Sequence, residues 1–283
     1  MGEALAEGTR RLRAAGVEGP RAEARLLLEA ATGLPRERLL TAVDAPLGPG
    51  AGAAFARMVE RRAAREPLAY VLGRREFYGR EFRVVPGVLV PRPETETLVD
   101  AALAAFADAS APLRVLDVGV GTGCLLLTVL AEFPNAHGVG TDLGDAPLAC
   151  AAANARALGV ADRVKVRRTA WAEGVEGRPF DLILSNPPYI PEAEIATLEP
   201  EVRDREPRLA LSGGPDGLDA YRALAPEIAR LLAPGGVALL EIGRGQEGAV
   251  ASLFKAHGFI VNHHCDLAGV VRCLELRSGA VEV

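Results

Sequence analysis

A buried strand, a glycine-rich loop and a helix follow one another near the middle of this 283-residue chain. Residues 113–118 form a largely apolar run, and residues 124–133 have the apolar spacing of a helix. The loop between them is Gly119-Val120-Gly121-Thr122-Gly123. Glycine lets the backbone pass close to a ligand, and the first N–H groups of the following helix are free to contact it. This order of elements favours an α/β fold with a ligand at the carboxyl ends of its strands.

Strands and helices alternate through the remainder of the chain. Further strands are predicted at residues 137–141, 163–167, 180–185, 237–242, 259–264 and 270–276. Helices are predicted at residues 98–106, 146–158, 220–232 and 246–256. With the first strand, this pattern predicts a doubly wound, mostly parallel, seven-stranded Rossmann-like sheet. The last two strands should form a hairpin, which makes the last strand antiparallel.

The N-terminal quarter has a different pattern. Apolar residues recur at helical spacing in residues 4–65, with breaks at glycine and proline, which predicts a small helical bundle. Two short aromatic or β-branched runs then flank Gly79-Arg80 and predict a β-hairpin. We therefore expect a helical domain at residues 1–66, a β-hairpin linker at residues 67–91 and the main α/β domain at residues 92–283.

Composition and charge exclude several classes of protein. The chain has 49% hydrophobic and 24% charged residues, which is ordinary for a globular protein. It has no apolar run of ~18 residues and no apolar signal core at its start, so we expect a cytoplasmic protein without membrane association. The net charge of −5 and the pI of about 5.6 disfavour stable nucleic-acid binding, although residues 1–80 lean basic.

Neither a disulfide nor a metal site is predicted. The four cysteines contain no Cys-x-x-Cys pair, which favours reduced thiols. The run His263-His264-Cys265 contains ligand-type residues, but neighbours on a strand point to opposite faces of the sheet. We therefore expect no metal.

The tetrapeptide Asn186-Pro187-Pro188-Tyr189 follows the apolar run 180–184, where a buried strand should end. Proline restricts Asn186 to an extended conformation, so its amide oxygen and the Pro187 carbonyl can converge on one –NH₂ group. Tyr189 offers a flat face for an amide or a base. Two acceptors that bind the hydrogens of one –NH₂ group stabilise the pyramidal, positively charged nitrogen that forms when this group attacks an electrophile. By itself, however, the tetrapeptide fits a simple turn equally well.

The glycine loop favours an adenosine-type cofactor. Asp142, 21 positions beyond Gly121 at the end of the next strand, can accept from both hydroxyls of a ribose. A dinucleotide site needs G-x-G-x-x-G, and Cys124 stands where its third glycine would be. The G-x-G-x-G spacing suits S-adenosylmethionine, which has no phosphate. Trp171 is either a core or lid residue or a wall against the adenine, and we favour the wall.

Several stretches together carry a family resemblance. They are 117–123, 186–189, Pro67-Leu-Ala-Tyr-Val-Leu-Gly73, Arg75-Glu-Phe-Tyr78, Val90-Pro-Arg-Pro-Glu-Thr-Glu96, Glu206-Pro-Arg-Leu-Ala210 and Gly213-Gly-Pro-Asp-Gly-Leu218. The first two resemble class I S-adenosylmethionine-dependent methyltransferases that alkylate –C(=X)–NH₂ nitrogens. The full set resembles the release factor glutamine methyltransferases, the HemK/PrmC family, over about the whole chain.

This resemblance implies methylation of N5 of the glutamine in the Gly-Gly-Gln motif of class I peptide chain release factors, with S-adenosylmethionine as donor and S-adenosylhomocysteine as product. It implies catalysis by Asn186, Pro187 and Tyr189, with the glutamine held by these three residues and Pro188. It implies docking of the release factor on the helical domain. It places the cofactor on Gly119, Val120, Gly121, Thr122, Gly123, Asp142, Trp171 and Asn186.

Two departures from the family pattern are present. Ala170 stands where relatives often carry aspartate, which puts a polar adenine contact in doubt, and Val270-Val271 replaces a Gly-Arg-Asp-Arg type sequence. The alternative functions are an N5-glutamine methyltransferase of a ribosomal protein and an adenine-N6 methyltransferase on nucleic acid, which would use the same tetrapeptide. A cofactor-binding regulator would be expected to have a degraded tetrapeptide, and here it is intact.

Overall fold

The structure is a computed structural model that describes residues 1–41 and 43–278, without the side chain of Leu40. These residues divide into two compact units. The first consists of Met1–Arg74 together with Glu199–Arg205, and the second of Arg75–Leu198 and the described residues from Glu206 onward. No helix in the described part of the chain is long and apolar enough to cross a lipid bilayer.

The first unit contains the predicted helical bundle. Its helices are α1 (Gly2–Ala14), α2 (Pro20–Thr32), α3 (Arg36–Thr41), α4 (Pro49–Ala63) and α5 (Leu68–Leu72). Proline is the first residue of α2 and of α4, where a backbone N–H would have no hydrogen-bond partner within the helix. A glycine with left-handed backbone follows the last residue of α2 and of α5. The apolar faces of the helices meet in one core that includes Leu12, Leu27 and Phe55.

A buried arginine holds a distant segment of the chain in this unit. Arg62 of α4 is only 4% exposed, and it pairs with Glu23 at 2.6 Å and with Glu201 at 2.9 Å. The neighbouring Arg65 donates from Nε to Glu201 Oε2 at 2.9 Å. Because a buried guanidinium needs charged partners, these contacts fix the short helix Pro200–Arg203 against the N-terminal helices.

The predicted hairpin is formed by β1 (Arg74–Phe77) and β2 (Arg80–Arg83). Its two turn residues, Tyr78 and Gly79, both have positive φ, as a type I′ turn requires. Phe77 and Phe82 are buried with ring centroids 6.1 Å apart, and they belong to the core of the second unit.

The second unit is built on seven strands. They are β3 (Arg114–Val118), β4 (His137–Asp142), β5 (Val164–Arg168), β6 (Phe180–Ser185), β7 (Leu232–Glu241), β8 (Phe259–Cys265) and β9 (Val271–Ser278). Their order in the sheet is β5-β4-β3-β6-β7-β9-β8. Pairs from β5 to β7 are parallel, and β9 is antiparallel to both β7 and β8. The predicted fold class is therefore confirmed.

Helices cover both faces of the sheet. They are α6 (Glu96–Ala105), α7 (Cys124–Glu132), α8 (Asp145–Ala157), α10 (Asp219–Leu231) and α11 (Glu247–Ala256), while the short helix Pro200–Arg203 of the first unit is α9. Alternate strand residues face two separate cores. Val115 and Leu182 pack with α6, α7 and α8, whereas Leu116 and Ile183 pack with α10 and α11.

One predicted boundary is wrong. The sequence analysis places a strand at residues 237–242, but β7 already begins at Leu232 and includes Pro234, Gly235 and Gly236. Leu232 pairs with Phe180 of β6, and the register shifts before Leu182 pairs with Val237. Pairing with the neighbouring strand extends β7 through a proline-glycine segment whose local preference is a turn.

Candidate active site

The carboxyl ends of three neighbouring strands bring the predicted motifs together. Val118, the last residue of β3, is in register with Thr141 of β4 on one side and with Ser185 of β6 on the other. From β3 the chain moves outward to β4 and β5 and then returns to β6 on the opposite side. Ligands of doubly wound sheets bind where the strand order reverses in this way. The glycine loop therefore lies between Asp142 and Asn186.

A cavity of about 320 Å³ opens at this place, within the second unit. Nine of the predicted site residues line it, namely Gly119, Val120, Gly121, Thr122, Asp142, Trp171, Asn186, Pro187 and Pro188. Gly123 and Tyr189 are not among the lining residues. The cavity is also lined by residues to which the sequence analysis assigned no role in the site, including Thr95, Asp117, Cys124 and Leu209.

The glycine loop turns sharply and is held by β4. Gly119, Gly121 and Gly123 all have positive φ. The N–H groups of Gly119 and Val120 both donate to the Thr141 carbonyl, at 2.9 and 2.8 Å. A Cβ on Gly123 would crowd the side chains of Leu127 and Ala151, at 2.8 and 3.3 Å, and the φ of +83° at this position favours glycine. Gly123, which the sequence analysis placed at the cofactor, therefore also has a structural reason to be glycine.

Asp142 braces the loop from the end of β4. Its Oδ2 accepts from the N–H of Gly121 at 3.1 Å, and its Oδ1 accepts from the N–H of Gly144 at 3.0 Å. A carboxylate has about four acceptor sites, so each oxygen keeps capacity for a further donor. The position and the remaining acceptors both fit the predicted contact with a diol.

Asp117 is a site residue that the sequence analysis missed. It is 1% exposed, and its Oδ2 accepts from the Leu126 N–H at 3.3 Å. Its Oδ1 is buried without a hydrogen-bond partner among the described residues, although Asp117 lines the cavity. Burial raises the pKa of this carboxyl to about 7. A buried carboxylate oxygen that lacks a donor favours a cationic ligand. The signal in the sequence was an acid between the apolar residues Leu116 and Val118 of a buried strand.

Cys124 lines the same cavity and carries a protonated thiol at neutral pH. Burial raises the pKa of its thiol to about 12, so the reactive thiolate is absent at neutral pH. Its backbone N–H instead donates to Thr122 Oγ1 at 3.3 Å, at the start of α7.

Trp171 has an unusual backbone for a large residue. Its φ is +50°, in the left-handed region that non-glycine residues rarely adopt. The Thr141 hydroxyl donates to the Trp171 carbonyl at 2.6 Å, which holds this conformation beside the glycine loop. Strained residues that are held in this way cluster at functional sites. The neighbouring Ala170 is not among the residues that line the cavity.

The Asn186 side chain is held at the cavity by one hydrogen bond. Its Nδ2 donates to Thr95 Oγ1 at 3.2 Å, and no hydrogen bond in the described part of the chain engages its Oδ1. The peptide bonds before Pro187 and Pro188 are trans. The amide oxygen is therefore the free group that Asn186 offers to a ligand of the cavity it lines.

Tyr189 is positioned by a second buried acid. Its hydroxyl donates to Oε1 of Glu241, the last residue of β7, at 3.2 Å. Burial, followed by the charge of Glu241, raises the pKa of the Tyr189 phenol, so the phenol is protonated at neutral pH. The predicted contact of Tyr189 with a substrate amide stays a prediction.

The loop 213–217 supports the tetrapeptide from behind. A Cβ on Gly213 would lie 2.8 Å from the Pro188 carbonyl oxygen, and one on Gly217 would lie 2.4 Å from the Tyr189 carbonyl oxygen. Gln246 Nε2 donates to the same Tyr189 carbonyl at 2.9 Å. The two glycines therefore allow backbone to pack directly against backbone.

Comparison with known proteins assigns the family. The PrmC N-terminal domain model matches residues 3–73, and the methyltransferase small domain model matches residues 96–201. A release factor glutamine methyltransferase of Cereibacter sphaeroides is 51% identical over 257 residues, which cover 90% of each chain. Another, of Caulobacter vibrioides, is 48% identical over 248 residues, covering 88% of this chain and 86% of the relative. This chain belongs to the release factor glutamine methyltransferase family.

A solved structure supports the fold of this family member. The N-terminal domain of human METTL16, solved in complex with SAH, superposes with a TM-score of 0.52 at 16% identity, covering 77% of this chain and 83% of that chain. At that identity the likeness concerns the fold alone. It agrees with the Rossmann-like methyltransferase sheet, and the motif-based recognition is confirmed by the family matches.

We predict that Gly217→Ala lowers kcat for methyl transfer by about tenfold or more, since small displacements of an active-site corner are enough for such a loss. The added Cβ would displace the Tyr189 carbonyl and with it the Asn186 corner. Gly235→Ala is the matched control, because Gly235 has the same positive φ but no atom within 4 Å of its Cβ position. Initial rates at saturating substrates check the prediction, and equal rates for both variants would contradict it.

Proposed function

We propose that this chain methylates N5 of the glutamine in the Gly-Gly-Gln motif of class I peptide chain release factors, with S-adenosylmethionine as donor. Membership of the release factor glutamine methyltransferase family supports the proposal. The observation that carries it is the Asn186 amide, whose NH₂ is engaged by Thr95 while its oxygen is free at a cavity beside the glycine loop. An acceptor in that position suits a carboxamide NH₂.

The residues around the cavity fit S-adenosylmethionine. Asp117 brings a buried carboxylate oxygen without a partner, which suits the ligand's ammonium group, and Asp142 brings acceptors for the two ribose hydroxyls. The Gly119–Gly123 loop and Trp171 complete the proposed binding set. When bound, S-adenosylmethionine supplies an electrophilic methyl group on a sulfonium. The thiol of Cys124 stays protonated, so a competing nucleophile is absent from this wall.

The tetrapeptide performs the chemistry by orientation. A carboxamide nitrogen is a weak nucleophile because its lone pair is delocalised into the carbonyl. We assign Asn186 Oδ1 and the Pro187 carbonyl to the two N–H bonds of the glutamine, where they favour the tetrahedral, positively charged nitrogen that forms with the new N–C bond. The nitrogen then loses one proton to water and becomes a neutral N-methyl amide. Pro188 and Tyr189 would pack against the amide plane.

The first unit is the proposed docking site for the release factor. Its residues 3–73 match the PrmC N-terminal domain model, and it leans basic in a chain that is acidic elsewhere. We place the reaction in the cytoplasm, where release factors act in translation termination. The adenine-N6 alternative would need a basic nucleic-acid-binding surface, which the overall charge of −5 does not favour.

Labelled S-adenosylmethionine tests the substrate directly. The protein is incubated separately with a class I release factor, its Gly-Gly-Gln→Gly-Gly-Ala variant, a ribosomal protein mixture and duplex DNA. We expect label on the intact factor and none on the variant, because the variant lacks the accepting amide. Label on ribosomal protein or on DNA, without label on the factor, would replace the proposal with one of the two alternatives.

Asn186→Ala should abolish most turnover while the protein still binds S-adenosylmethionine. Loss of one positioned transition-state partner typically lowers kcat by ~100-fold or more. Single-turnover rates on the release factor, with cofactor affinity from calorimetry, separate the two effects. Retained turnover would refute the role of Asn186.

Asp117→Asn should weaken S-adenosylmethionine binding by about tenfold to 100-fold, as expected for the loss of a hydrogen bond to a charged group. In the wild type, the Asp117 carboxyl has a pKa of about 7 and must be ionised to hold an ammonium. Affinity should therefore fall as the pH is lowered through about 7, and Asp117→Asn should remove this dependence. Calorimetric titrations between pH 6 and pH 7, where the ligand's amino group stays protonated, measure both effects, and a fall in affinity toward pH 6 that persists in the variant would contradict the assignment.

A further inference from the structure

Leu209 is an exposed leucine at the mouth of the cavity. It is 80% exposed, and it lines the same cavity as Asn186, so it lies where the cavity meets solvent. Single exposed apolar residues are common on protein surfaces and need no special explanation. Leu209 differs from them in two respects. Its backbone is fixed beside the Asn186 tetrapeptide, and a protein substrate of this cavity has to pass its position.

The turn that carries Leu209 is closed by main-chain hydrogen bonds. Within this rim turn, residues 207–212, the N–H groups of Leu211 and Ser212 both donate to the Arg208 carbonyl, at 3.0 and 2.9 Å. Leu211 is 4% exposed and anchors the turn in the protein. The rim turn therefore has a fixed backbone, although its second apolar side chain, Leu209, projects into solvent.

Main-chain pairing ties the rim turn to the tetrapeptide. Ile190 follows Tyr189 directly, and its N–H donates to the Leu211 carbonyl at 3.0 Å. The Gly213 N–H donates in turn to the Ile190 carbonyl at 2.9 Å. Because Leu209 is only two positions before Leu211, these bonds place it on the tetrapeptide side of the cavity.

A buried carboxylate holds the other end of the rim turn. The side chain of Glu206, directly before the turn, is 1% exposed. Its Oε2 accepts from the Val90 N–H at 3.2 Å, and its Oε1 accepts from Arg92 Nη2 at 2.6 Å. Val90 and Arg92 both line the cavity. A buried carboxylate is stable only with such partners, so the start of the rim turn is fixed to the cavity wall.

A second exposed leucine marks the other end of the cavity. Leu143 is 51% exposed and lines the cavity, and in the described part of the chain no other large apolar residue besides Leu209 does both. Leu143 follows Asp142, the acceptor proposed for the ribose hydroxyls, and therefore belongs to the cofactor side. Leu209, on the tetrapeptide side, is left for the protein substrate.

The substrate glutamine has to bring its main chain to this mouth. Only Cβ, Cγ and Cδ separate its amide nitrogen from its Cα, so the main chain cannot stay far from Asn186 when the nitrogen reaches it. In the Gly-Gly-Gln motif the residues before the glutamine carry no side chains. Their main chain can therefore lie directly against an apolar side chain, and it would bury the exposed surface of Leu209.

We infer that Leu209 is a substrate-binding residue that packs against the main chain of the glycine directly before the substrate glutamine. It favours glycine at that position, because a side chain there would meet the leucine. The inference rests on the proposed function, since it names a further contact of the same site with the same substrate. Leu209 is exposed in the free protein and buried in this complex, and removal of its apolar surface from water favours binding.

Leu209→Ala tests the contact. We expect the KM for the release factor to rise by about fivefold or more, as for a leucine that loses most of its burial. The kcat and the affinity for S-adenosylmethionine should stay unchanged, since the contact holds the substrate equally in the ground state and the transition state. Leu267→Ala is the matched control, because Leu267 is also an exposed leucine but does not line the cavity.

A release factor that carries Gly-Ala-Gln tests which residue Leu209 contacts. It is assayed with the wild type and with Leu209→Ala. We expect kcat/KM of the wild type to fall on this factor, and that of Leu209→Ala to fall by a smaller ratio, because the shorter side chain leaves room for the added Cβ. Any change in the factor itself is common to both proteins, so the difference between the two ratios isolates the contact.

Several results would overturn the inference. They are a wild-type KM in Leu209→Ala, an equal rise of KM in Leu267→Ala, and a loss of cofactor affinity in Leu209→Ala that matches its loss on the factor. Equal ratios for both proteins on the Gly-Ala-Gln factor, or no methylation of it by either, would do the same. A wild type that does not label the intact factor would overturn the proposed function and the inference together, whereas a labelling wild type with any of these results overturns the inference alone.

Discussion

The parallel pairing of β3 with β6 is the constraint on which the candidate active site depends. Val118 and Ser185 are register partners at the ends of these strands, and the Ser185 hydroxyl donates to the Val118 carbonyl at 2.7 Å. The next residues in each strand, Gly119 and Asn186, therefore leave the sheet side by side. A slip of one residue would turn the buried faces of both strands toward the wrong helices. Packing of the two cores thus fixes the distance between the glycine loop and the Asn-Pro-Pro-Tyr corner.

Two buried carboxyls at strand ends give this site its electrostatic character. Asp117 in β3 and Glu241 in β7 are each 1% exposed, and each has one oxygen without a hydrogen-bond partner in the described part of the chain. Burial brings the pKa values of both near 7. Asp117 lines the cavity and Glu241 does not. We interpret the first as a partner for a cationic ligand, whereas the second accepts a hydrogen bond from the Tyr189 hydroxyl.

Backbone geometry and side-chain hydrogen bonds together hold the Asn-Pro-Pro-Tyr corner. Gly213 and Gly217 let a loop pass within contact distance of the carbonyls of the tetrapeptide, and any side chain there would push the corner away. Trp171 keeps a left-handed backbone beside the glycine loop with the help of the Thr141 hydroxyl. The site therefore combines rigid strand ends with closely packed loops, which suits catalysis by orientation more than by a strong base.

The sequence by itself determined the fold class, the strand and helix order and nine of the residues that line the cavity. Those features depend on local signals, such as the apolar period of each strand, the glycines of the loop and the proline-stiffened corner. Only the tertiary structure brings Asp117 to the cavity and Thr95 to the Asn186 amide. Thr95 and Asn186 are 91 positions apart, and no local pattern records which buried groups meet across such a distance. The tertiary structure also places Tyr189 against Glu241. The direction of a side chain follows from the packing of neighbouring elements and not from its own sequence context.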